Sequence, residues 1–303
     1  MKKYWLLGML LSLFCIGGLF VAVTEVQPNV ALAAKKTTKS VRPVAKKQLQ
    51  ITAIGDSLTQ GVGDSAKDQG YVGLLKKTIT KKYPKTKVTT ANFGVGGNTS
   101  AQILDRVLND PKITASVQKA DAVVMTMGGN DIMQVISKDP LHVTTQAVDT
   151  KAQAACKNLT QIIQKIRTVN SQVPIFVIGL YNPFYVLMPT VTTMQAAVHS
   201  WNAGTQAALK LQNRSYFVPV DAILTKGDAK TKKAVAKRLK SVATTKQAQA
   251  ASNSSSKKEP ELTNPYLYKK DHFHPNHVGY EKMTTELYQV MADHKKLWLY
   301  QKK

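Results

Sequence analysis

Leu49-Gln50-Ile51-Thr52-Ala53-Ile54-Gly55-Asp56-Ser57-Leu58-Thr59 is the stretch whose reading decides the fold. Leu49 to Ile54 alternates in character at the two-residue period of a strand, and Gly55-Asp56 breaks that period where a helix begins. A strand turning directly into a helix leaves Ser57 on the turn, with its hydroxyl exposed and its amide at the positive end of a helix dipole. A serine that merely caps the helix would stand in the same place. The segment therefore fixes a unit of architecture and leaves its chemistry open.

The same unit recurs along the chain. Short apolar runs at Leu49 to Ile54, Val88 to Phe93, Ala122 to Met127, Val173 to Ile178 and Tyr216 to Val220 read as strands. Tyr71 to Lys82, Ser100 to Leu108, Thr145 to Val169, Thr193 to Leu211 and Val278 to His294 carry apolar residues at helical spacing. Strands alternating with helices predict an α/β fold, a parallel five-stranded sheet covered on both faces. Ligands in such sheets bind beyond the carboxyl ends of the strands, and Ser57, Gly97 and Asn130 each follow a predicted strand closely.

Outside this region the composition changes. Lys2 and Lys3 precede an apolar run from Trp5 to Val23, followed by Ala31-Leu32-Ala33-Ala34, an order that reads as an export signal. Cleavage after Ala33 is the first reading, and a retained membrane anchor is the second, because the run is nearly long enough to span a bilayer. Either one predicts an extracytoplasmic domain, secreted or anchored, and the two leading lysines agree with that orientation. Phe14 before Cys15 argues against a lipoprotein signal, and the remaining Cys156 cannot form an intrachain disulfide. Residues 35–47 read as a solvated basic linker, residues 48–303 as one catalytic domain, and residues 226–261 as a basic insertion with one helix and a polar tail.

The chain has 303 residues, 43 % of them hydrophobic, and a formal charge of +24. That charge predicts attraction to polyanions. The export signal turns the expectation from nucleic acid to an anionic cell envelope, with the basic segments as the gripping surface. A monomer is expected.

Chemistry enters with Asp271-His272-Phe273-His274-Pro275. A serine hydroxyl is a poor nucleophile at neutral pH; it needs an imidazole to take its proton and an anion to fix the tautomer of that imidazole. His274 and Asp271, three residues apart, supply both to Ser57 if one short turn aims them together. The glycine-rich run Asn92 to Thr99 permits close approach of a backbone amide to a bound oxygen, though it also reads as an ordinary turn, and it lacks the Gly-Lys-Ser/Thr of a phosphate loop. In Gly128-Gly129-Asn130-Asp131 the Asn130 amide is a candidate donor to an oxyanion, with an αL turn as the plain alternative. Asp131 reads as a cap for the segment that follows. His272 and His277 flank the proposed base, and His-x-His-x-x-His invites a metal reading that its placement just before a helix disfavours. Tyr181, Phe184, Tyr185 and Trp201 are candidates for an acyl cleft or for core.

Taken together, Gly55-Asp56-Ser57-Leu58, Gly97, Gly128-Gly129-Asn130-Asp131 and Asp271 to Pro275 resemble, in order, the four blocks of the SGNH (GDSL) hydrolases, and in particular bacterial GDSL-type lipase/acylhydrolases. The resemblance implies a three-layer αβα sandwich of flavodoxin-like strand order, with no metal or organic cofactor. It implies Ser57 as nucleophile, with His274 as base and then acid and Asp271 as its orienter. The amides of Ser57 and Gly97 and the Asn130 side chain become the oxyanion hole. The expected reaction is hydrolysis of carboxylic esters through an acyl-enzyme. Removal of O-acetyl groups from wall polysaccharide is the alternative substrate, and envelope binding through the basic segments the alternative of another class.

Overall fold

The computed structural model describes residues 43–138, 144–248 and 262–301. The proposed export signal, Cys15, His142 and the polar run Ala251 to Lys258 lie outside them.

Five strands, β1 (Gln48–Gly55), β2 (Lys87–Gly94), β3 (Ala122–Thr126), β4 (Ile175–Ile178) and β5 (Ser215–Val218), form one sheet of order β2-β1-β3-β4-β5. Every pairing is parallel. The two-residue period sends alternate side chains to opposite faces. Leu49, Ile51 and Ala53 of β1, with Val124 of β3 and Phe176 of β4, enter one core. Ile54, Val123, Met125, Ile175 and Val177 enter the other. Two buried faces require helices on both.

Helices α1 (Ser57–Gln60), α2 (Gly70–Lys82), α3 (Ser100–Asn109), α4 (Pro111–Lys119), α5 (Gly129–Ile136), α6 (Thr145–Val169), α7 (Thr192–Lys210), α8 (Asp221–Lys226), α9 (Ala229–Ala248), α10 (His277–Asp293) and α11 (Lys295–Trp298) supply them. Tyr71, Leu75 and Ile79 of α2 and Tyr280, Met283 and Leu287 of α10 fill the first core. Ile103 of α3, Ile113 of α4, Leu159 and Ile162 of α6 and Trp201 of α7 fill the second. The result is the parallel sheet covered on both faces that the alternation of strands and helices predicts, and the three-layer αβα sandwich that the resemblance implies.

Where element bounds differ from expectation, the cause is local. β4 starts at Ile175 because Pro174 has no N–H for the ladder, and β5 ends at Val218 because Pro219 follows it. Helix α4 went unread, although Asp110 caps it through the Lys112 amide and Pro111 stands at its first position. The expected linker ends sooner than residue 47. Ala45 bridges Tyr300 antiparallel, the Lys46 amide donates to Leu299 O at 2.9 Å, and Lys46 Nζ pairs with Asp121. The described part of the basic insertion is mostly helix: α9 buries Thr231 and Val235 and turns Lys232, Lys233 and Lys237 outward.

The parallel sheet brings the loops after β1, β2 and β3 to one edge. Order reverses between β1 and β3, the place where such sheets open a crevice.

Candidate active site

The turn carrying Ser57 is held from below. Asp56 caps α1, accepting from the Leu58 amide at 3.0 Å, and its Oδ1 also accepts the Thr126 hydroxyl at 2.7 Å. Thr126 Oγ1 lies 2.7 Å from Thr59 Oγ1, which lies 2.7 Å from the Tyr71 hydroxyl. This buried chain binds strands β1 and β3 to α1 and α2. Burial pushes the Asp56 carboxyl above its ordinary pKa, against the hydrogen bonds from Thr126 and Leu58 that lower it.

Ser57, Asp271 and His274 come together as one hydrogen-bonded line. His274 Nε2 is 2.9 Å from Ser57 Oγ, and His274 Nδ1 is 2.8 Å from Asp271 Oδ2. With Nδ1 protonated against the carboxylate, Nε2 is the lone-pair nitrogen that accepts from the serine hydroxyl. The other oxygen of Asp271 accepts from the amides of Phe273 (2.9 Å) and His274 (3.1 Å). Partial burial opposes the charge on Asp271, but the bonds from the His274 ring and these two amides outweigh it and hold the pKa below the usual carboxylate value. The Asp-x-x-His spacing thus makes a tight turn in which the carboxylate grips both the ring and the backbone of the same histidine.

Three further donors lie on the segments that follow β1, β2 and β3. The amides of Ser57 and Gly97 make no hydrogen bond among the described residues. The Asn130 side-chain amide donates one hydrogen to Asn98 O at 2.9 Å, and its second has no acceptor among the described residues. Asn130 stands in the first turn of α5, whose N-cap Gly128 has φ +103°, a conformation that disfavours any side chain. A Cβ on Gly128 would also fall within the Trp201 ring, which packs beneath it. Arg106 steadies the Gly97 loop by donating to Phe93 O at 2.8 Å and Asn98 Oδ1 at 3.2 Å.

Asp131 does not cap its own helix. It accepts from the Ser100 amide at 2.8 Å and the Ser100 hydroxyl at 2.6 Å, tying α5 to the start of α3. Two other histidines are engaged elsewhere: His277 Nδ1 meets Asp64 Oδ1 at 2.9 Å, and His294 stacks on Tyr216. Among the described residues no group of three His, Cys, Asp or Glu is arranged to hold a metal.

A pocket beside Ser57 and Asn130 is walled mainly by Ile132, Met133, Leu180, Phe184, Met194 and Val198. Of the candidate aromatics, Tyr181 and Phe184 line it, Tyr181 also donating to Phe273 O at 2.6 Å. Trp201 is core under Gly128, and Tyr185 is not part of the wall. Sequence reasoning missed the Asp56–Thr126–Thr59–Tyr71 network and Arg106. The only available signal was the Thr that follows Gly-Asp-Ser-Leu.

The description GDSL-like lipase/acylhydrolase family matches residues 53–282. The chain is 25 % identical over 283 residues to the protein YpmR of Bacillus subtilis, covering 93 % of this chain and 97 % of that one. It is 33 % identical over 146 residues to the spore germination lipase LipC of Bacillus licheniformis, covering 45 % of this chain and 65 % of that protein. Among solved structures, the lipase Lip_vut3 from a goat rumen metagenome shares the fold, with a TM-score of 0.61 at 24 % identity over 80 % of this chain and 97 % of that one. With the match extending from β1 into α10, and with a serine, a histidine and an aspartate meeting at the sheet edge, the chain belongs to the GDSL-like lipase/acylhydrolase family and is a serine ester hydrolase.

Proposed function

We propose that the protein is an exported esterase or lipase that cleaves carboxylic esters through an acyl-enzyme on Ser57. One observation carries the reading: the unbroken line Ser57–His274–Asp271 ends at an apolar pocket that Ser57 and Asn130 also line. Ser57 Oγ attacks the ester carbonyl while His274 Nε2 takes its proton, and the oxyanion forms against the amides of Ser57 and Gly97 and the free hydrogen of Asn130. His274 then protonates the leaving alcohol, and water, activated by the same nitrogen, releases the acid and restores the serine. Asp271 keeps the ring in the tautomer that this sequence needs.

The pocket wall favours an acyl chain over acetyl alone, since Ile132, Met133, Leu180, Met194 and Val198 offer apolar surface to successive methylenes, each worth about 0.8 kcal/mol when buried. A panel of nitrophenyl esters of increasing acyl length tests this. kcat/KM rising beyond acetate, and lost in Ser57→Ala, supports the lipase reading; preference for acetate, with acetate released from acetylated wall polysaccharide, supports the alternative. Export rests on Lys2, Lys3 and the apolar run from Trp5 to Val23; N-terminal sequencing of the protein recovered outside the cytoplasm tests it.

Association with an anionic envelope is an accessory property of the same protein. Exposed Lys232, Lys233 and Lys237 lie on α9, and Arg238 of that helix reaches Leu187 O in the segment following the pocket residues Pro183 and Phe184.

A further inference from the structure

His274 is carried on residues 262–276, a stretch without a helix or regular strand, whereas Ser57 sits on a turn rooted in the sheet. The distance between base and nucleophile therefore depends on what holds the base-bearing segment: the Tyr181 hydroxyl binds Phe273 O at 2.6 Å from the β4 side, and further ties join the segment to the serine turn. Between residues 56–70 and 262–280, apart from the Ser57–His274 bond itself, the described residues make two hydrogen bonds. His277 Nδ1 donates to Asp64 Oδ1 at 2.9 Å, and the Tyr280 hydroxyl donates to Val62 O at 2.7 Å.

These two ties bracket a close contact. Gly63, at φ +90°, lies so near the base-bearing segment that a Cβ there would stand 2.5 Å from Pro275 O and 3.1 Å from His274 Cβ. Asp64 is itself fixed, its side chain only 1 % exposed, because its carboxylate also accepts from the amides of Ala66 (3.1 Å), Asp68 (3.0 Å) and Gly70 (3.0 Å). Burial opposes its charge, but the bond from His277 and those from Gly70 and Ala66 prevail and leave its pKa below the ordinary value. Asp64 thus organises the loop between α1 and α2 and offers its remaining capacity to one residue of the base-bearing segment. His277 is the first residue of α10, three positions beyond His274.

We infer that Asp64 and His277, supported by Tyr280, form a clasp that sets the position of His274 against Ser57, and that they are positioning residues for the reaction. The inference rests on Ser57 and His274 acting as nucleophile and base. Neither Asp64 nor His277 touches the reacting atoms, so the clasp acts on turnover through geometry, to which proton transfer between positioned groups is steep: a displacement of about 1 Å costs on the order of 100-fold.

The test uses the full chain and a soluble short-chain nitrophenyl ester, with rates divided by the concentration of sites titrated to completion by a serine-directed phosphonate. His277→Ala is expected to lower kcat per titrated site by about 10- to 100-fold with KM within about two-fold. His277→Asn, whose Nδ2 can replace the ring Nδ1 as donor, is expected to recover most of that loss. Tyr280→Phe keeps the ring in the core and removes only the second tie; a smaller loss in kcat, about 3-fold or more, is expected. Unchanged kcat per site in both His277→Ala and Tyr280→Phe would overturn the clasp, as would a His277→Asn enzyme no better than His277→Ala. Ester hydrolysis surviving in Ser57→Ala would instead defeat the underlying functional reading, so the two failures are told apart.

Discussion

At the scale of single residues, the proposed mechanism divides labour between groups that move a proton and groups that wait for charge. Asp271 spends one oxygen on the His274 ring and the other on two amides, so its substitution removes both a charge and a turn. Asp271→Asn is expected to lower kcat by about 10³- to 10⁴-fold, because an amide at that place stabilises the wrong imidazole tautomer. Asn130→Ala takes away the proposed oxyanion donor, and a loss of about 10²- to 10³-fold in kcat with little change in KM is expected from steady-state kinetics. These roles could be read from sequence because each depends on residue type and short spacing: three positions separate Asp271 from His274, and Asn130 follows a strand. The partners of Asp56 and Asp131 could not. Thr126 is 70 positions from Asp56 and Ser100 is 31 from Asp131, and for Asp131 the single-chain pattern offers a cap reading where the fold makes a tie between elements.

At the scale of elements, the catalytic groups owe their positions to how helices start at the sheet edge. Gly128, the N-cap of α5, takes a positive φ directly over Trp201. Gly128→Ala is expected to cost about 2–3 kcal/mol in urea unfolding through overpacking and strain, and to reduce kcat by displacing Asn130. The helices seen in the sequence were those long enough to show several turns of apolar periodicity, with Thr145–Val169 read at its observed bounds. Helix α5 was hidden because Gly128-Gly129 reads as a turn and only two of its residues, Asp131 and Ile132, are buried. Helix α4 is nine residues with an apolar stripe of Ile113 and Val117, too short for the period to stand out even though its cap and proline were in view.

At the scale of the whole molecule, charge governs both stability and surroundings. Asp64 and Asp271 titrate below 3.8 in the folded protein, so their contribution to stability is full above that value and is lost as pH falls through their depressed pKa values. Asp56, shifted the other way, disfavours the fold as pH rises past 3.8 through its raised value. The urea midpoint is therefore expected to fall from about pH 4 downward, with a shallower fall in Asp64→Asn; an unchanged acid profile in that variant would contradict the assignment. The formal charge of +24 and the exposed lysines of α9 predict adsorption to anionic surfaces that weakens with salt. In sedimentation with phosphatidylglycerol vesicles, the triple variant Lys232→Glu, Lys233→Glu, Lys237→Glu is expected to bind more weakly than the parent at low salt and to hydrolyse a soluble ester at the parental rate. Equal binding would remove α9 from the account. The sheet and its two cores were legible from strand and helix periods because burial on both faces imposes them. The docking of residues 43–47 beside Tyr300 was not, since a lysine-rich approach gives no hint that its backbone will pair.

The central claim, an acyl-enzyme at Ser57 made possible by His274, is tested most directly by mass spectrometry of the protein after a serine-directed phosphonate. A single adduct is predicted, mapped to the peptide containing Ser57, formed in step with loss of ester hydrolysis, and abolished in Ser57→Ala and greatly slowed in His274→Ala. An adduct on another residue, or ester hydrolysis persisting in Ser57→Ala, would contradict it.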